Sequence, residues 1–188
     1  MRCPKTSKIF VSGNLIEEWF RAVGRLGKLS SLQFNYCKYE PDWFRYFIGC
    51  GNLLEVNLCR YEANDTVLIH LASCGSIQAL IMERTWGVSA RGLVAIAKGC
   101  NELRYITTTR IETPLDSAMK AFSKFCPKIE QISLNECSGF DDDCLYALVE
   151  AKSLQNLEVN YGGYSEEGVQ MFQNARPNVD FEFEFSDW

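Results

Sequence analysis

The sequence predicts an α/β solenoid, a curved stack of strand–helix units with parallel strands on the concave face and helices on the convex face. Three observations carry this expectation. An apolar triad at relative positions 0, +3 and +5 recurs every 24–26 residues. Between successive triads lies a short segment with helical apolar spacing. A cysteine stands three residues before the triad in four successive units.

The triads are Leu29-Leu32-Phe34, Leu53-Val56-Leu58, Ile77-Leu80-Met82, Leu103-Ile106-Thr108, Ile129-Ile132-Leu134 and Leu154-Leu157-Val159. Their first residues are separated by 24, 24, 26, 26 and 25 positions. A further start at Val179 keeps the step of 25, although Glu182 and Glu184 take its inner positions, so the count is 6–7 repeats. One strand and one short helix cannot bury their own apolar faces, and stacking the units supplies the missing partner.

The helical segments are NDTVLIHLASC, SARGLVAIAKGC, PLDSAMKAFSKFC, DDDCLYALVEA and SEEGVQMFQNA, each expected to open on a capping-type residue. Their apolar residues, such as Leu68/Leu71/Ala72, Leu93/Ile96/Ala97 and Leu145/Leu148/Val149, make one buried stripe. The whole chain, 1–188, reads as one domain. Residues 1–27 form an irregular strand–helix cap, 28–176 the repeats and 177–188 a terminal strand. In that strand Phe181, Phe183 and Phe185 alternate with Glu182 and Glu184, whose charges discourage edge-to-edge pairing.

Composition narrows the function classes. With 47% apolar residues in 188, a sizeable core is available. A net charge of -5 without a polybasic run argues against nucleic acid as a partner. No stretch reaches the roughly 18–20 apolar residues of a membrane span. Met1 to Lys8 (MRCPKTSK) has no apolar core of a secretory signal, so the nine cysteines are expected as reduced thiols in the cytosol or nucleus.

Those cysteines raise the question of chemistry. Cys126 and Cys137 sit at opposite ends of one strand unit, roughly 30 Å apart if extended, so they cannot share a metal. No Cys-x-x-Cys pair exists and His70 is the sole histidine, so no metal or cofactor is expected. Ala151 occupies the cysteine slot before Leu154 without disturbing the period, which fits packing better than crosslinking. A cysteine or serine nucleophile needs an adjacent base, and His70 is placed on the outer side of its helix. Asp141-Asp142-Asp143 falls at a helix start, where carboxylates cap free N–H groups. Gly162-Gly163 is a turn without phosphate-loop spacing. The expectation is a protein that is not an enzyme.

The surface carries the remaining candidates. Residues at +2, +4 and +6 should face the concave side, among them Asn57, Tyr105 and Asn135. The +7 column reads Tyr36, Arg60, Arg84, Arg110, Glu136 and Tyr161. Three arginines in consecutive repeats, on strands about 4.8 Å apart, repel one another unless an anion covers them or neighbours pair with them. One reading is a ledge for an acidic or phosphorylated protein segment or a small anion. The other is local neutralisation by Glu62, Glu83 and Glu112. Trp86 and Tyr61 adjoin the column as aromatic anchor candidates. The candidate partner-binding set is therefore Arg60, Arg84, Arg110, Tyr36, Tyr105, Tyr161, Trp86, Asn57 and Asn135.

Over roughly residues 14–180 the chain resembles cysteine-containing leucine-rich-repeat proteins. Cys50, Cys74, Cys100 and Cys126 match the family's helix-end cysteine, and Cys37 and Cys137 its Cys/Asn position; Tyr61, Thr85, Ile111 and Gly162 depart from the latter. Such repeats resemble those of F-box substrate adaptors of ubiquitin ligases. The segment IMERTWGVSARGLVAIAKGCNELRYI, residues 81–106, is similar to plant F-box receptors for jasmonate and auxin. Those relatives hold anionic ligands with concave-face arginines, which implies Arg84 as the matching residue here. The helical F-box itself has no recognisable counterpart before Leu29. Short repeat proteins of this type also resemble the mitochondrial ATP synthase subunit s group, which implies an alternative role as a structural subunit or assembly factor, in mitochondria. Otherwise the implied function is recognition of a protein partner.

Overall fold

A computed structural model of the chain describes residues 7–59, 63–85 and 87–185. Eight strands form one parallel sheet in sequence order: β1 (Ser7–Asn14), β2 (Leu29–Lys38), β3 (Glu55–Cys59), β4 (Ala79–Met82), β5 (Tyr105–Thr109), β6 (Gln131–Asn135), β7 (Asn156–Gly162) and β8 (Asp180–Phe185). Helices α1 (Glu17–Val23), α2 (Asp65–Ala72), α3 (Ala90–Gly99), α4 (Asp116–Phe125), α5 (Asp142–Leu148) and α6 (Glu166–Ala175) cover one side. Parallel neighbours need a crossover between them, and the helices supply it. The architecture is the α/β leucine-rich-repeat solenoid that the repeat period implies.

The register follows the period. Leu32, Val56, Leu80, Ile106, Ile132 and Leu157 stand side by side on successive strands, each no more than 1% exposed. That row is the spine of the core. At +5, Phe34, Leu58, Met82, Thr108, Leu134 and Val159 form a second buried row. Thr108 is fully buried there and its hydroxyl has no hydrogen-bond partner among the described residues. In β8 the phase differs from the expected start at Val179. Phe181 pairs with Leu157 and Phe183 with Val159, so the phenylalanines take the core rows and Glu182 and Glu184 the concave side.

Between β2 and β3, where the sequence suggested no element, a 3-10 helix runs Pro41–Phe47. It carries Phe44 and Phe47 into a cluster with Phe20, Phe34 and Tyr39, ring centroids 5.2–5.9 Å apart. The aromatic rings are thus concentrated inside the N-terminal units, while Phe122 and Phe140 stand among aliphatic side chains farther along.

The helix-end cysteines show why that slot favours a thiol. Cys74 Sγ donates to Phe47 O at 3.2 Å, and Cys126 Sγ approaches Ala97 O at 3.5 Å, both one repeat back. A small apolar group with a weak donor suits a buried helix end. The eight described cysteines are free. Burial raises the Cys74, Cys126 and Cys144 thiols to about 12 and Cys100 and Cys137 to about 11, so these sulfurs stay protonated at neutral pH.

Capping follows expectation at four helices. Asn64, Ser89, Asp141 and Ser165 accept from backbone N–H groups of α2, α3, α5 and α6. At α4 the N-cap is Leu115 with no side-chain bond, contrary to the capping start expected of PLDSAMK. Two first-turn carboxylates do more than serve their own helix. Asp65 accepts from Ser89 N at 2.8 Å and Ser89 Oγ at 2.6 Å, and Asp142 accepts from Ser165 N at 2.8 Å and Ser165 Oγ at 2.7 Å. Each ties one helix start to the next. Arg176 completes the C-terminal side, donating to Ala151 O at 2.7 Å and to Val149 O and Leu154 O at 3.1 Å.

Candidate functional site

The side of the sheet away from the helices presents three rows of side chains. From the pairing they run Lys8-Ser31-Glu55-Ala79-Tyr105-Gln131-Asn156-Asp180, then Phe10-Gln33-Asn57-Ile81-Thr107-Ser133-Glu158-Glu182, then Asn35-Cys59 and, beyond β4, Thr109-Asn135-Asn160-Glu184. Glu83 fills the corresponding place after β4 and lines the same hollow as Asn57 and Cys59. Strand alternation puts these residues outside the core, where they are available to a partner. Two of them are covered, against expectation. Ser133 is 3% exposed and donates to Glu158 Oε2 at 2.9 Å. Ser31 is 1% exposed, lying between Lys8 and Glu55, whose charged ends are 3.9 Å apart.

The five described residues of the +7 column, at or near the ends of β2, β4, β5, β6 and β7, are left-handed. Tyr36, Arg84, Arg110, Glu136 and Tyr161 have φ of 54°, 55°, 62°, 55° and 61°. None is glycine or asparagine, the residues that adopt this region readily, so each carries strain of order 1–2 kcal/mol. The turn has a use. It aims the backbone N–H at the next repeat: Arg110 N donates to Asn135 O and Glu136 N to Asn160 O, both at 2.9 Å. Arg84 N instead donates to Thr109 Oγ1 at 2.8 Å. The column is therefore a rigid lip beside the concave rows, with its side chains turned outward.

The arginines of that lip are not equivalent. Arg110 Nε donates to Glu136 Oε2 at 2.7 Å, so its charge is met by the next repeat's column residue, not by Glu112 as the sequence suggested. Arg84 is exposed and has no carboxylate within 4 Å among the described residues. Arg60, Tyr61 and Trp86 lie outside the described residues. Arg84, Thr107, Thr109, Arg110, Asn135 and Glu136 are brought together around a small depression of about 150 Å³, which also reaches Glu83.

The other candidates separate. Tyr105, 42% exposed, donates to Glu130 Oε2 at 2.7 Å, and Arg104 pairs with the same carboxylate. That bond raises the phenol above its ordinary value, because ionising Tyr105 beside Glu130 would place two anions together. Asn135 accepts from Asn160 Nδ2 at 2.7 Å. Asn57 accepts from Cys59 Sγ at 2.8 Å, and Tyr36 stands over the same hollow. Tyr36 and Tyr161 are 49% and 46% exposed. Sequence spacing found the rows and the column. It missed Phe10, 70% exposed on β1, because Ile9–Val11 lacks the full repeat pattern that marks the other strands of the concave sheet.

No grouping of three or more His, Cys, Asp and Glu fit to hold a metal occurs among the described residues. No helix among them is long and apolar enough to cross a membrane. His70 is half-buried on α2, with Nε2 3.6 Å from Asp42, remote from the concave rows.

The geometry defines a leucine-rich-repeat solenoid with an exposed, polar, aromatic-edged concave sheet. No family model matches the chain. Among solved structures, a Bacteroides fragilis protein determined by structural genomics is similar with a TM-score of 0.50 at 11% identity, over 91% of this chain and 60% of that one. An internalin of Listeria monocytogenes gives a TM-score of 0.45 at 9% identity, covering 89% of this chain and 65% of its own. A TLR13 complex with ssRNA13 gives 0.45 at 12% identity, over 94% of this chain and 32% of that one. The chain thus spans under two thirds of each of these proteins, and the first likeness is one of fold.

Proposed function

We propose that the protein is a non-enzymatic interaction module that recognises a protein partner through its concave sheet. The observation that carries this is the concave surface of two side-chain rows running across all eight strands and a third from β2 onward, backed by the core rows and flanked by the left-handed lip. Rigid, polar surfaces with aromatic edges lose little entropy on binding, and aromatic and arginine side chains supply most of the energy at such interfaces. The sole histidine is remote from the concave rows, burial raises the Cys59 thiol that lies 4.0 Å from Glu83 Oε2, and the core thiols are protonated.

The finer reading is substrate recognition in a ubiquitin-ligase-like assembly, in the cytosol or nucleus. The cysteine-containing repeats and the likeness of residues 81–106 to F-box receptors support it. Within that reading Arg84 is the residue for an acidic or phosphorylated segment, since Arg110 is already engaged by Glu136. Affinity purification with mass spectrometry from the native source, comparing wild type with Arg84→Glu, tests it. Recovery of a ligase core with the wild type, and of fewer substrates with the variant, is expected. An unchanged set of captured proteins contradicts the Arg84 assignment.

A second reading, a structural subunit or assembly factor of a large complex such as one containing subunit s-like proteins, is favoured by the β1 end. There Ile16 and Leu26 are 60% and 44% exposed, and Ile9 and Val11 are only half-buried. Co-purification at fixed stoichiometry with a mitochondrial assembly would select it.

A further inference from the structure

The two halves of the concave face differ in how their polar groups are satisfied. Toward the C-terminus they satisfy one another. Gln131 donates to Ser133, Ser133 to Glu158, and Asn160 to both Asn135 and Glu158. Toward the N-terminus they do not. The amides of Gln33 and Asn35 make no hydrogen bond to any described residue, and Asn57 uses only Oδ1, leaving its NH₂ group unspent. These three amides lie in one hollow of about 550 Å³, in the size range that accepts a side chain and its flanking backbone. Phe10, largely exposed, and Tyr36, about half exposed, stand on its walls.

Charge adds a second constraint. The concave rows hold Glu55, Glu83, Glu158, Asp180, Glu182 and Glu184 against Lys8, and Lys8 is already paired with Glu55. Glu83, on the wall of the hollow, is exposed and has no Lys or Arg nitrogen within 4 Å among the described residues. An anionic floor repels acidic segments and attracts basic ones.

Resting on the concave-face reading, we infer that the hollow on β1–β3 takes an extended segment of a partner protein that carries a bulky apolar side chain next to a lysine or arginine. The apolar side chain fits between Phe10 and Tyr36. The segment's backbone N–H and C=O groups meet the amides of Gln33, Asn35 and Asn57, which lack protein partners of their own. The cation faces Glu83. Arg84 adjoins Glu83 and lines the neighbouring depression with Arg110 and Glu136, so an acidic element elsewhere in the same partner is compatible with it.

A phage-displayed library of random peptides, panned on the full chain at low salt, tests the inference, with enriched peptides then titrated by fluorescence anisotropy. Enriched sequences are expected to place Phe, Leu, Ile or Trp within two positions of Lys or Arg. Phe10→Ala and Glu83→Gln should each weaken binding about tenfold. Both side chains are exposed, so an unchanged thermal melt separates lost contact from lost fold. Peptides that instead respond to Glu158→Gln or Asn160→Ala place recognition on the other half of the face; this overturns the inference and leaves the concave-face reading standing. Acidic peptides that respond to Arg84→Glu do the same. Peptides indifferent to all of these variants, or no enrichment at all, overturn both.

Discussion

Thr108 offers a sharp test of how the core rows work. Its hydroxyl is fully buried without a partner among the described residues, in a row whose other members are Phe34, Leu58, Met82, Leu134 and Val159. Thr108→Val removes the unpaired hydroxyl and keeps the branched shape, and Val159 already fills the same place two repeats on. A buried unsatisfied polar group costs about 1–3 kcal/mol, so a gain of about 1–2 kcal/mol is expected. For a chain of this size that raises the unfolding midpoint by roughly 2–8 °C. Thr109 is the control on the same strand, because its Oγ1 accepts from Arg84 N at 2.8 Å. Thr109→Val should lower stability by about 1 kcal/mol. Urea unfolding and calorimetry read both. If Thr108→Val is neutral or destabilising, the hydroxyl has a partner in solution and the row is not dry.

Three further outcomes follow from the geometry. A Cβ at Gly168 would collide with the Asp142 carboxylate that ties α5 to α6, so Gly168→Ala should cost about 2 kcal/mol or more in urea unfolding. The buried thiols make the fold alkali-sensitive. Each folded value, about 11–12, lies above the ordinary thiol value, so their contribution is complete below about pH 9 and is lost as pH rises toward 12, at about 1.4 kcal/mol per pH unit for each thiol. A flat stability profile through pH 11 by fluorescence-monitored unfolding would contradict that. Arg84→Gly relieves a left-handed residue, φ 55°, at about 1–2 kcal/mol, less about 0.5–1 kcal/mol of added chain entropy. It should raise the melting midpoint slightly while lowering capture of any partner that depends on the arginine, and a lower midpoint would contradict the strain.

Much of the fold was legible because the rows that bury are also the rows that repeat. Leu32 through Leu157 recur at the strand period, and the helix-end cysteines recur at the crossover, so a one-dimensional phase carried three-dimensional information. What escaped the sequence lay across repeats. Arg110 was weighed against carboxylates near in sequence, yet its partner Glu136 is one repeat later, where a solenoid puts its neighbours. Asp65 to Ser89 and Asp142 to Ser165 follow the same rule, and their near-period spacing is a usable signal. The left-handed column had no such signal, since Tyr, Arg and Glu are ordinary strand-end residues and the acceptors that its N–H groups meet at Arg84, Arg110 and Glu136 lie one repeat on. Phe10 was hidden by its context. Its hollow exists because β1 joins the sheet, with Lys8–Val11 in continuous register against β2.

The most direct test of concave-face recognition is site-specific photo-crosslinking in the native source. One chain carries the photoreactive residue in place of Asn57 on the floor, and a second carries it in place of Tyr146, 51% exposed on α5. Partner crosslinks from position 57 and none from 146 are expected. Crosslinks from 146 with none from 57 would place the partner on the helices and contradict the assignment.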